Sequence, residues 1–259
     1  MTSNPAPTSG HSQTLAGGNP TLPQTDPELV EYFDNFAFGE VLAHGNLDTR
    51  IRLMVQLAGL IACQAQTLYR TVLDAALADA VTPVEAKEIV YQSVAYVGIG
   101  KVMDFLTITN QVLTDRGVEL PLPGQSTTTA DTRAERGLTV QKQIFGADLI
   151  DQLYGTAPND EQHIQRLLSA NCFGDHYTRG ALDLPTRELL TFAMLVAYGG
   201  CDPQVRGHVA ANLNVGNSRE LLIDVLTQLL PYIGYPRTLN GLRAIDDVAA
   251  APEVAQQAG

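Results

Sequence analysis

The sequence predicts an all-α chain of two similar helical units, and two observations carry that reading. The first is a repeat. Phe38-Gly39-Glu40, Leu47-Asp48-Thr49-Arg50, Gln92, Tyr96 and Gly98 return as Phe173-Gly174-Asp175, Leu182-Asp183 with Thr186-Arg187, Gln228, Tyr232 and Gly234. The offset drifts only between 135 and 137 residues, and a long matched period is one structural unit used twice. The second is that helix starts are legible in both copies, while no stretch alternates apolar and polar residues with period two. Helix content is expected to exceed half the chain, above the usual third.

Taken in order, residues 1–25 are rich in Pro, Ser, Thr and Gly without apolar periodicity, and read as a disordered arm. Asp26 then caps a helix with Pro27 at its first position. Asp48 caps the next, whose run Leu53, Met54, Val55, Leu57, Ala58, Leu60 and Ile61 is apolar nearly all round and therefore buried. Thr82-Pro83-Val84-Glu85 is a capping box. The first unit spans 26–118. Residues 119–132, with Pro121, Pro123 and three consecutive threonines, form a linker.

The second unit spans 133–250. It opens with a helix from 133 to about 154 that Gly146 bends. A helix near 164–168 and a loop over 173–183 follow. A buried helix runs from 185 to about 198, and a shorter one runs from Pro203 to about Gly216. The last helix starts at Ser218 and should kink at Pro231. Residues 251–259 read as a tail.

Composition narrows the function classes. A net charge of −12 repels nucleic acid and anionic membrane surfaces. No run of about 18 apolar residues occurs, so no membrane span is expected. The N-terminus lacks the basic start and apolar core of a signal peptide, which makes a cytoplasmic location the expectation. Cys63, Cys172 and Cys201 are odd in number and irregularly spaced, and read as reduced thiols rather than a disulfide framework. The five histidines show no metal-ligand spacing, so neither a metal nor a cofactor is expected.

The residues able to carry chemistry gather in the second unit. Cys201 precedes Asp202-Pro203, read as the cap and first position of a helix. Unpaired N–H groups and the positive helix end there favour a thiolate. His208 lies about two turns on, on roughly the same side, and Cys with His is the minimum unit for an activated thiol or a proton shuttle. Glu188, in the first turn of the preceding helix, can orient that histidine. The loop Gly174-Asp175-His176-Tyr177-Thr178-Arg179 gathers acid, imidazole and guanidinium, and Arg179 can pair a carboxylate bidentately. Each feature also has a plain structural reading: Cys201 as a small apolar filler, His208 as a hydrogen-bonded core residue, the loop as a solvated connection.

The stretches Leu182-Asp183…Thr186-Arg187-Glu188-Leu189-Leu190-Thr191, Gly207-His208-Val209-Ala210-Ala211-Asn212-Leu213-Asn214-Val215-Gly216 and Gln228…Tyr232-Ile233-Gly234-Tyr235-Pro236 resemble the carboxymuconolactone decarboxylase family. That family shares its helical fold with the alkylhydroperoxidase D proteins. The first unit looks like a degenerate copy. The resemblance implies a homo-oligomer, most simply a trimer in which six units form a ring. It also implies one of two chemistries, and the sequence departs from both. Gln204 stands where the peroxidases carry a second cysteine, which removes a dithiol cycle. Ala210 and Val215 replace an Arg and an Asn of the decarboxylase pattern, whereas Arg179 and Asp175 match its loop.

Three functions remain open. One is a lyase or isomerase acting on a small carboxylated cyclic compound, with His208 as proton shuttle and Arg179, Asp175 and His176 toward substrate. Another is a single-cysteine thiol peroxidase using Cys201. The third is a non-catalytic oligomeric scaffold.

Overall fold

The structure is a computed structural model that describes residues 15–17 and 19–249. Its helices are α1 (Leu22–Thr25), α2 (Pro27–Asp34), α3 (Thr49–Ala62), α4 (Gln66–Asp79), α5 (Pro83–Val97), α6 (Ile99–Asp115), α7 (Arg133–Phe145), α8 (Ala147–Thr156), α9 (Gln162–Leu167), α10 (Leu184–Tyr198), α11 (Asp202–Asn214) and α12 (Arg219–Val248). Two π-helical segments, Asn35–Glu40 and Leu168–Tyr177, continue α2 and α9. No strand occurs among the described residues. The chain is all-α and uses one helical unit twice.

The repeat is visible in backbone detail. Both Phe-Gly-acid motifs lie in the two π segments. Their widened turns carry i→i+5 bonds, from Val41 N–H to Phe36 O at 2.8 Å and from Thr178 N–H to Phe173 O at 3.2 Å. Asp48 and Asp183 cap α3 and α10 through their side chains. Gly98 (φ 84°) and Gly234 (φ 76°) break the next helix pair at the same place. Only glycine takes such angles without strain.

The buried helices α3 and α10 lie against each other, and one continuous apolar core joins Leu53–Ile61 positions to Leu189–Ala197 positions. Matched glutamines cross between the units. Gln92 Nε2 donates to Arg187 O at 2.8 Å and Thr191 Oγ1 at 3.0 Å, and Gln228 Nε2 donates to Val41 O at 2.9 Å. Beside Gln92, buried Arg187 pairs with buried Glu88 at 3.1 Å. A buried charge is tolerable only when paired in this way.

Several local expectations are corrected. Residues 173–177 are not loop but the end of the second π segment, because α7 packs along its whole length. That approach is close. A Cβ on Gly137 would lie 1.9 Å from Ser169 O, and one on Gly174 would lie 2.1 Å from Arg133 O. The 133–154 helix is broken rather than bent, since Gly146 (φ 91°) ends α7 and starts α8. The last helix breaks at Gly234, not Pro231. Pro236 then sits at the second position of the new segment, where its missing N–H is not needed.

Asp26 occupies the cap position of α2 but makes no capping bond; its carboxylate accepts from Thr25 Oγ1 instead. The disordered-arm expectation for residues 1–14, and the tail at 251–259, lie outside the described residues. Within 15–25 the chain forms a 3₁₀ turn at Leu15–Gly17 and the short α1, and Leu15 N–H donates to Asp34 Oδ1 at 2.8 Å. The 119–132 segment is pinned to the second unit. Thr127 and Thr128 hydroxyls donate to Thr178 O and Gly174 O, and Gly180 N–H donates to Gln125 O.

Candidate active site

His208 enters from the middle of α11 and Glu188 from the first turns of α10. The two helices pack together because the Gly199-Gly200 turn, with φ of 73° at both residues, folds one back on the other. His208 Nδ1 and Glu188 Oε2 are 2.7 Å apart. Glu188 is fully buried and its Oε1 has no partner among the described residues. A neutral ring that donates Nδ1–H to this carboxylate presents its Nε2 lone pair on the other side. Asn212 braces both helices, donating to His208 O at 2.7 Å and Glu188 O at 3.1 Å. Rings of Tyr96 and Phe145 meet the imidazole edge-on, with centroids 5.7 and 5.3 Å away.

The imidazole forms part of the wall of a cavity of about 410 Å³. That size falls within the range of small-molecule sites. Its wall is mainly apolar: Phe145 from α7, Leu149, Ile150 and Leu153 from α8, Leu168 and Phe173 from the π segment. Cys201 lies two turns before His208, and Gln204 one turn before it, on the same side of α11. Tyr96 comes from the first unit, so the site spans both copies. Its hydroxyl donates to Tyr177 Oη at 2.9 Å, and Tyr177 bonds Thr191 Oγ1 at 2.6 Å. Burial, with Glu188 nearby, holds both phenols far above the usual tyrosine range. They remain neutral.

The six residues singled out from sequence divide into two groups. His208, Glu188 and Cys201 come together. Arg179, Asp175 and His176 do not join them at the cavity. Arg179 holds Glu88 through Nε at 2.8 and 3.0 Å, lies over the Tyr91 ring at 5.1 Å and faces other hollows, beside the 120–125 segment and α7. Asp175 pairs with Arg133 at 3.0 Å. His176 is partly buried, its Nδ1 has no partner among the described residues, and burial lowers its pKa first of all. The reason is the π turn, which carries these side chains away from α11.

The thiol expectation is also reversed. The first helical residue of α11 is Asp202, and Cys201 itself occupies the cap position. Burial and the adjacent Asp202 carboxylate raise the Cys201 pKa, and its Sγ donates to Leu195 O at 3.3 Å. In the sequence Gln204 stands out only as a missing cysteine, and Tyr96 only as a position of the repeat. Phe145 and the α8 leucines gave no signal, since nothing local in the sequence shows which apolar residues face a void. No cluster of His, Cys, Asp or Glu suited to a metal occurs among the described residues.

The carboxymuconolactone decarboxylase family matches residues 27–111 and 162–247. The chain belongs to that family, and it carries the family's unit twice. The 4-carboxymuconolactone decarboxylase of Acinetobacter baylyi is 26% identical over 127 residues, 48% of this chain and 94% of that protein. A decarboxylase-family protein of that length therefore corresponds to about one repeat here. Residues 112–161 fall between the two matched segments, yet α7 and α8 within them build much of the cavity wall.

Proposed function

We propose that this protein is a lyase or isomerase of the carboxymuconolactone decarboxylase type, acting on a small cyclic compound with His208 as proton shuttle. The supporting observation is the 2.7 Å Glu188–His208 contact at the wall of a cavity sized for such a compound. Nε2 accepts a proton from substrate carbon, or returns one to a developing carbanion, without a cofactor. The Glu188 carboxylate keeps the ring oriented and faces the imidazolium that forms in between. The neutral phenol of Tyr96 forms part of the wall beside the pair, with Tyr177 bonded behind it. The proton-shuttling pair belongs to the second unit. In the first unit His208 falls opposite Thr71 or Val72, neither of which moves a proton near neutral pH.

Cys201 lies in the same cavity and supports thiol peroxidase chemistry as the second reading. Its raised pKa weighs against that reading, because the thiolate is the nucleophile.

The test is exchange and turnover over a panel of cyclic lactones, enones and their carboxylates in deuterated water. His208→Ala should lower turnover by at least about a hundredfold, the usual share of general acid–base catalysis, and should also lower the melting temperature, because it leaves the buried Glu188 carboxylate without its partner. Glu188→Gln should lower it less. Cys201→Ser should leave it intact. Full activity in His208→Ala, or loss confined to Cys201→Ser, would transfer the chemistry to the thiol.

A further inference from the structure

The cavity beside His208 lacks the group that a carboxylate needs. Among its described lining residues there is no Lys or Arg. The charged groups around it are otherwise engaged. Glu188, behind the imidazole, is fully buried and is taken up by His208 Nδ1. Arg187, on α10, is tied to Glu88 and Gln92. Arg237 donates to Ala197 O behind Cys201, and Asp202 adds a further negative charge there. Lys101 sits outside the wall, its Nζ 4.4 Å from the centroid of the Tyr198 ring. An anion entering this space would lose its water without gaining a counter-charge.

One polar group does point to a ligand type. Gln204 lines the cavity four residues before His208, so both side chains share one face of α11. Gln204 is exposed, and its amide makes no side-chain hydrogen bond among the described residues, so it can turn from water to a ligand. An amide N–H can donate to a carbonyl oxygen, but a single neutral donor does not offset the cost of stripping water from a carboxylate.

Resting on the proton-shuttle reading above, we infer that the substrate is an uncharged cyclic carbonyl compound, a lactone or cyclic enone, with its carbonyl received by Gln204 and its acidic C–H facing His208 Nε2. The reaction this permits is isomerisation. Nε2 takes the proton from the carbon next to the conjugated system, and the C–H electron pair moves into an enolate. The same imidazolium then returns the proton at another carbon of that system. No bond to carbon dioxide breaks and no net oxidation occurs. Gln204 donates to the oxygen on which the negative charge develops. Specificity for an uncharged ring comes largely from α8, through Leu149, Ile150 and Leu153, which lies outside the segments matched by the family.

The probes are coumarin, an uncharged lactone, and coumarin-3-carboxylate, its anionic counterpart. Binding to the full-length protein is measured by calorimetry, and site occupancy by protection of Cys201 from alkylation. Coumarin should bind at least about tenfold tighter than the carboxylate, the equivalent of roughly 1.4 kcal/mol, and should protect Cys201. Gln204→Leu should weaken coumarin severalfold, and Gln204→Arg should reverse the order. The preference should persist in His208→Gln, which separates it from the fate of the proton-shuttle reading. Equal or tighter binding of the carboxylate, especially if lost in Lys101→Ala, overturns the inference. So does failure of coumarin to bind at millimolar concentration or to protect Cys201.

Discussion

At Cys201 two effects of opposite sign meet. A helix start favours the thiolate by about 0.3–1 kcal/mol when exposed. Burial and a neighbouring carboxylate oppose it, and here they win, so the pKa moves up. Cys172 is driven further, to about 12, chiefly by burial, and Cys63 is also raised by burial. Alkylation by iodoacetamide at neutral pH should therefore be slow at all three, fastest at Cys201 and slowest at Cys172. The Cys201 rate should still be climbing above about pH 9, the range an ordinary cysteine has by then largely passed. Mass-spectrometric labelling against pH reads this directly. A rate that levels off near neutrality would restore the activated-thiol view.

His176 makes the corresponding pH prediction for stability. Its pKa is lowered, by burial first, with Arg179 and Arg187 adding to the shift and Asp175 and Glu88 opposing it. The native ring therefore stays neutral at a pH where the unfolded ring, near about 6.5, has begun to take a proton. Protons then bind preferentially to the unfolded chain, and stability falls as pH drops from about 6.5 toward the native value. His176→Gln removes this contribution. Between about pH 7.5 and about pH 5.5 the melting temperature of the wild type should fall further than that of the variant. Parallel curves for the two proteins would show that His176 has no such shift.

At the scale of elements, the paired π segments show one motif put to two uses. Gly174 is pressed against α7 with its Cα hydrogen side toward Arg133 O, whereas a Cβ on Gly39 would meet nothing within 4 Å. Gly174→Ala should destabilise by at least about 1–3 kcal/mol, the cost of overpacking, because the obstructing atoms are backbone and cannot swing aside. Gly39→Ala should be neutral or stabilising by up to about 1 kcal/mol, since alanine loses less freedom in a helix. Urea unfolding of both variants compares them. A Gly39→Ala loss as large as that of Gly174→Ala would mean that the first π segment is covered by another element or another copy.

For the whole molecule, large apolar residues remain exposed on several helices: Leu149 and Leu153 on α8, Ile164 and Leu167 on α9, Ile99 and Met103 on α6, Tyr235 and Leu239 on α12. Those that neighbour each other on one helix face, such as Leu149 and Leu153 or Tyr235 and Leu239, are suited to burial against another copy. The expected assembly is a trimer, six repeats closing a ring as the family resemblance implies. Light scattering should give three times the 27.8 kDa of one chain. A monomeric mass at micromolar concentration would end this expectation. None of the described helices is long and apolar enough to cross a membrane, so these residues are not a membrane span.

The sequence by itself determined the all-α class, the twofold use of one unit and most helix starts. These are local or periodic properties: Asp48, Thr82, Asp183 and Ser218 cap the helices that follow them wherever those helices later pack. It also brought forward His208 and Glu188, because a fixed spacing along two consecutive helices sets them on facing turns. What it could not determine was which side chains share a space. Arg179 precedes Glu188 by only nine residues, which suggests a common site. The π turn, held against α7 where Gly137 meets Ser169, instead carries Arg179 to Glu88 and away from His208. Tyr96 crosses from the first unit, and the α8 leucines come from a segment with no counterpart in the repeat. A cavity is a place the chain fails to fill, and that depends on how all the surrounding helices meet rather than on any one of them.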